Sequence, residues 1–163
     1  MNYNTFGNIS IFPHHVILKV VDGDSIFVKN KFTKEEFEVR LYGIDAPEVK
    51  KCAKLKQDEK ETQIAGQLLM HLGRLSFHYL IDLAPLETNC TLGIELNNTS
   101  DVYGRTLAYI FLPDGRCVNE IMVSEGYAKP INKYYCSKLS NYQSLNFAAK
   151  QNKKGLYSIV ESF

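Results

Sequence analysis

Tryptophan is absent from the 163 residues, proline is sparse, and the four cysteines form no C-x-x-C pair. Cys52, Cys90, Cys117 and Cys136 therefore suggest neither a zinc site nor a redox dithiol, and their spacing leaves any disulfide undetermined. No apolar run approaches the ~18 residues of a membrane span, and residues 1–20 lack a basic segment followed by a continuous apolar one. A soluble chain without a membrane partner is expected, secreted or periplasmic if a leader was removed and cytoplasmic otherwise. A charge excess is missing too. Nineteen basic against eighteen acidic residues leave a net charge of +1, so any attraction for nucleic acid must come from a local patch. Neither a Gly-rich phosphate loop nor a nucleophile elbow occurs, and His14, His15, His71 and His78 form no recognisable site.

Hydrophobic residues make up 45% of the chain, enough for one sizeable core, and one domain over residues 1–163 is the expectation. Apolar runs at 16–21, 25–28 and 37–42 read as strands, with Asp22-Gly23 as a hairpin signal between the first two. In the third run the period of two puts Phe37, Val39 and Leu41 on one face and Glu38, Arg40 and Tyr42 on the other, so Arg40 should point away from the core. Spacings of three and four at Ile64, Leu68, Leu72 and Leu75 predict a helix over 57–75. Further strands are expected at 91–96 and 107–111. Short helices are expected at 118–125, stopped by Gly126, and at 142–151, after a tyrosine-rich loop. Strands first and helices later give an α+β layout around a small antiparallel sheet or barrel.

Hydrolysis of a phosphodiester requires an oriented water, a cation against the phosphate charge, and donors that stabilise the transition state. Asp24 and Asp45, with a backbone carbonyl, offer hard oxygen donors suited to calcium. Arg40 and Arg105 can each present a planar fork to a phosphate. Glu48 can take a proton from water. Each residue has a plainer reading as well: aspartates at 22, 24 and 45 as turn formers, the arginines as surface ion pairs, Glu48 as a solvated carboxylate.

Taken together, three ordered blocks resemble those of staphylococcal-type nucleases: residues 20–26 (VVDGDSI), 40–48 (RLYGIDAPE) and 103–109 (YGRTLAY). The resemblance extends from about residue 16 to 157. It implies an OB-fold barrel of five strands with three helices. Carried over by position, Asp24, Asp45 and the Ala46 carbonyl look like ligands of one calcium ion, and Glu48 like the residue that orients or deprotonates water. Arg40 and Arg105 resemble the pair that grips the scissile phosphate. The implied activity is calcium-dependent endonucleolytic cleavage of DNA and RNA at the 5′ P–O bond, leaving 3′-phosphate ends. Single-stranded substrate and a monomeric enzyme are expected. A catalytically inactive OB-fold module that binds nucleic acid or protein is the rival.

Departures from the family pattern are Ala46 and Ser25, where threonine is common, and Val102, where a lysine precedes the tyrosine. Tyr103 is retained as a candidate for phosphate or sugar contact. Lys50 and Lys51 open a run of five lysines after Glu48 that can hold a phosphate backbone, and Tyr134 is a candidate to stack on a base.

Overall fold

The computed structural model describes residues 5, 6 and 8–163; residues 1–4 and 7 of the expected domain lie outside the described residues. Strands β1 (Thr5–Phe6), β2 (Ile9–Asp22), β3 (Ser25–Asn30), β4 (Glu36–Leu41) and β5 (Ile44–Asp45) come first. Helices α1 (Ala53–Thr62) and α2 (Gly66–Leu83) follow, then β6 (Asn89–Glu95), β7 (Thr106–Phe111), α3 (Val118–Ser124), β8 (Lys129–Pro130) and α4 (Leu139–Gln151). A 3-10 turn over Gly155–Ser158 comes last.

The ladder order is β1-β2-β3-β4-β7-β6, and the long β2 also pairs with β6. Residues 15–22 of β2 face β3, while residues 9–16 face β6, so one bent strand serves both sides of the sheet. The seams are uneven: β2–β6 shifts register between Phe12 and His15, and the parallel β4–β7 seam holds at three residue pairs. This is the expected α+β, OB-like fold: five strands, β2, β3, β4, β7 and β6, form a curled sheet rather than an evenly laddered barrel, and the two-residue β1 adds a sixth at its edge.

Among the described residues, four helices replace the expected three. The helix expected over 57–75 is two helices, broken at Gln63, which takes the left-handed conformation at φ 59°. Thr62 drives the break, because its hydroxyl donates back to Asp58 O at 2.7 Å and accepts from Ile64 N at 3.2 Å. α1 starts earlier than the apolar spacing suggested because Cys52 Sγ caps Leu55 N at 3.4 Å. The last helix likewise begins at Leu139, not Tyr142.

Ile17, Ile26, Val28, Val39, Leu41 and Leu92 fill the sheet interior, closed by Val118 and Met122 of α3. Burial of each such side chain contributes about 1.5–3 kcal/mol. A second cluster joins the helices through Leu55, Leu69, Leu72, Ala149, Leu156 and Phe163. Buried Asn119 spans the sheet and α3. Its Nδ2 donates to the carbonyls of Tyr42 and Ala108, and its Oδ1 accepts from Ile110 N at 3.0 Å. Both protons of its amide and its carbonyl oxygen are thus answered, at the end of β4 where the site begins. Among the described residues, no helix is long and apolar enough to cross a membrane.

Candidate active site

Two turns carry the acidic residues, and small side chains on neighbouring elements let them meet. In the β2–β3 turn, Asp22 Oδ1 accepts from Asp24 N at 3.1 Å, the local bond that aspartate brings to such turns. A Cβ on Gly23 would come within 2.8 Å of the Cβ atoms of Ala46 and Ser76, so only glycine lets the hairpin seat on both. Gly73 of α2 plays the matching role: a Cβ there would lie 2.6 Å from the carbonyl oxygens of Pro47 and Glu48. The turn that carries Asp45 and Glu48 is therefore pressed directly against the backbone of α2.

Arg40 sits at the centre of what these turns bring together. Its Nη1 lies 2.9 Å from Asp24 Oδ2 and its Nη2 lies 3.1 Å from Asp45 Oδ1, with the guanidinium side chain only 11% exposed. Asp24 Oδ2 also accepts from Ala46 N at 2.9 Å, which locks the two turns to one another. The expectation that Arg40 leaves the hydrophobic core holds, yet it enters a second, polar interior rather than solvent. Tyr42, expected on the same outward face, is fully buried instead, because β4 ends at Leu41 and the alternation ends with it.

One guanidinium shared by two carboxylates treats them unequally. Burial pushes the Asp24 carboxyl up, to about 8, with Arg40 pulling it down and Asp22 and Asp45 adding to the rise. Burial also pushes Asp45 up, but Lys54 and Arg40 outweigh it and hold that carboxyl below its ordinary value. The difference is the second cation: Lys54 Nζ lies 2.8 Å from Asp45 Oδ1.

The opposite wall is built by the β6–β7 loop. Asp101 Oδ1 accepts from the backbone N–H groups of Tyr103 and Arg105, and its Oδ2 takes Arg105 Nε at 2.7 Å. Arg105 Nη1 then reaches Ser25 Oγ at 3.1 Å and Glu38 Oε1 at 3.5 Å, tying the loop to β3 and β4. Tyr103 is 82% exposed and lies against the guanidinium, 5.7 Å from ring centroid to Cζ. Between the walls opens a cavity of about 450 Å³, lined among others by Asp24, Arg40, Glu48, Lys54, Tyr103 and Arg105.

A family model described as staphylococcal nuclease homologue matches residues 38–159, which include most of β4, the 43–48 turn and Arg105. The chain belongs to the staphylococcal nuclease homologue family. A protein of Escherichia coli described as an uncharacterized endonuclease is 30% identical over 89% of this chain and 77% of its own length. An uncharacterized protein of Methanocaldococcus jannaschii, MJ1439, is 28% identical over 96% of this chain and 77% of its own. Endonuclease YhcR of Bacillus subtilis is 26% identical over 88% of this chain, a region that makes up 11% of that protein.

For this member of the staphylococcal nuclease homologue family, five of the residues singled out in the sequence, Asp24, Arg40, Glu48, Tyr103 and Arg105, line one cavity. Asp45 and the Ala46 carbonyl meet them through Arg40 and Lys54. Lys50 and Lys51 are exposed just before α1. One face of Tyr134 is occupied, since its ring stacks on Tyr42 at 5.3 Å and 4° between planes, while neighbouring Tyr135 is 65% exposed.

Lys54 joins these residues although the sequence offers it only as one of five lysines in a charged stretch, and its position in the first turn of α1 is what aims it inward. Its Nζ lies 2.9 Å from Glu48 Oε1 and 3.4 Å from Ala46 O, besides its contact with Asp45. Burial pulls the Lys54 ammonium down, but Asp45 and Asp24 beside it outweigh that and hold it charged. Three hard oxygens thus converge on one cationic centre, a donor chemistry that also suits calcium. Among the described residues, no three side chains of His, Cys, Asp or Glu are grouped to hold a metal by themselves, so water would have to complete such a shell.

Proposed function

We propose that this chain is a calcium-dependent endonuclease that hydrolyses phosphodiester bonds of DNA and RNA, cleaving the 5′ P–O bond and leaving 3′-phosphate ends. The observation that carries this reading is the meeting of Arg40, Glu48 and Arg105 about one open cavity, beside the oxygens of Asp24, Asp45 and Ala46. Calcium held by Asp24, Asp45 and the Ala46 carbonyl would supply positive charge against the phosphate. Glu48 would accept the proton of an attacking water. Arg40 and Arg105, permanently charged and planar, are suited to donate to the phosphate oxygens as charge builds in the transition state. The leaving oxygen takes its proton from solvent, since neither arginine gives one up. Tyr103 and the exposed lysines 50 and 51 would follow the backbone of a single strand, and the domain would act as a monomer.

One observation favours the inactive binding module: both arginines are already engaged by carboxylates of the chain itself. Cleavage of fluorescent single-stranded DNA and RNA, with calcium, magnesium or chelator, separates the two readings. The nuclease reading expects calcium-dependent cleavage that Glu48→Ala lowers by orders of magnitude. Binding without cleavage under any of these conditions would sink it in favour of the module.

A further inference from the structure

Lys54 has a second consequence, which rests on the calcium site just proposed. Its Nζ is the point at which Asp45 Oδ1, Glu48 Oε1 and Ala46 O converge, at 2.8, 2.9 and 3.4 Å, with Asp58 Oδ2 at 3.9 Å from the next helical turn. A primary ammonium has three protons, and these three nearest oxygens answer all of them. A divalent ion held by Asp24, Asp45 and the Ala46 carbonyl would compete for two of these oxygens, those of Asp45 and Ala46, and two cations within about 3 Å of one another repel strongly at any protein dielectric. The ammonium and the ion therefore exclude each other.

Lys54 is also built to leave. Its side chain is 37% exposed. It borders two cavities: the site cavity, and a neighbouring one of about 380 Å³ that Lys129 and Lys133 also line. α1, which carries it, has Leu55 as its buried residue, so the helix is lightly anchored and the lysine stem can swing outward without disturbing the core.

We infer that Lys54 is an internal cation that fills the oxygen cradle of the resting protein and is displaced when a divalent ion enters. Lys54 then sets the calcium concentration at which the site loads, because apparent affinity falls with the fraction of molecules whose cradle is free. Its role is to position and to gate; Lys54 takes no part in proton transfer.

Calorimetric titration of Ca2+ into the metal-free full chain tests this without any nucleic acid. Lys54→Met keeps the stem and removes the charge, and Lys54→Gln keeps a polar head in case the methionine variant folds poorly. Both variants should bind Ca2+ about tenfold or more tightly than the parent, whereas Lys54→Arg should stay within about threefold of it. The melting temperature should also rise more on adding Ca2+ for the Met and Gln variants than for the parent. Equal affinity in the parent and both neutral variants overturns the inference while leaving a calcium-dependent nuclease intact. Absence of Ca2+ binding in every form overturns it as well, and the cleavage assay on the parent then decides separately whether the nuclease reading survives.

Discussion

The two arginines of the site are held by contrasting means. Arg40 is gripped by Asp24, sixteen residues away, and by Asp45, in two turns whose approach depends on Gly23, Ala46 and Gly73. Arg105 is gripped mainly by Asp101, four residues earlier in its own loop, and is more exposed. The geometry of the first half is thus a property of the whole fold, while the second half is largely a property of one loop. In the first, activity and stability should fail together. In the second they should come apart.

Arg40→Ala gives the largest expected effect. It removes the counter-charge from buried Asp45 and a hydrogen-bond partner from buried Asp24, and breaking a buried pair from one side costs about 3–5 kcal/mol. Turnover should fall by about 10³-fold, counting one lost phosphate donor and a loosened turn. Chemical denaturation and single-turnover cleavage, measured on the same preparation, would show both losses. Full stability in this variant would mean that the buried cluster is not structural. Arg105→Ala comes next: turnover is expected to drop by about 10²-fold, with stability changing by less than about 1 kcal/mol because its ion pairs are partly exposed. A large loss of stability here would erase the contrast.

That contrast also marks how far the sequence could be read. Alternation in residues 37–41 announced the strand and sent Arg40 to the polar face, and Asp22-Gly23 announced the hairpin that carries Asp24. Those signals are local, so they survive in a bare sequence. The coming together of Asp24, Ala46 and Gly73 is not local; it depends on which small residues face each other across elements far apart in the chain. The first turn of α1, before the helix expected from residue 57, is illegible in the sequence for a different reason. Apart from Leu55 its residues are largely polar, and its N-cap is Cys52, a residue type seldom read as a cap. A lysine-rich stretch without an apolar stripe reads as solvated loop, and so the inward aim of Lys54 stayed out of sight. Tyr42 departs from the period of two because the strand ends one residue before it, at Leu41.

Acid sharpens the comparison with the smallest effect. Asp45 in the buried cluster and Asp101 in the loop are both held below the ordinary value of 3.8, in each case against the upward push of burial. Lys54 and Arg40 do this for Asp45, and hydrogen bonds from Arg105 do it for Asp101. A carboxyl lowered on folding contributes stability that is fully present above its unfolded value and is lost as pH falls through its folded one. Asp24 is shifted the other way and keeps its proton in both folded and unfolded chains below about pH 3.8, so it adds no slope there. Stability measured below that pH should therefore fall with acid because of Asp45 and Asp101. Asp45→Asn and Asp101→Asn should each flatten the fall, Asp45→Asn more, because Asp45 pairs with two cations, one of them the buried Arg40, while Asp101 keeps backbone donors that an asparagine can still accept from. Equal flattening by the two variants would mean that burial of the Arg40 cluster adds nothing to the pairing of its charges, and the distinction between a half held by the fold and a half held by a loop would then rest on the arginine variants alone.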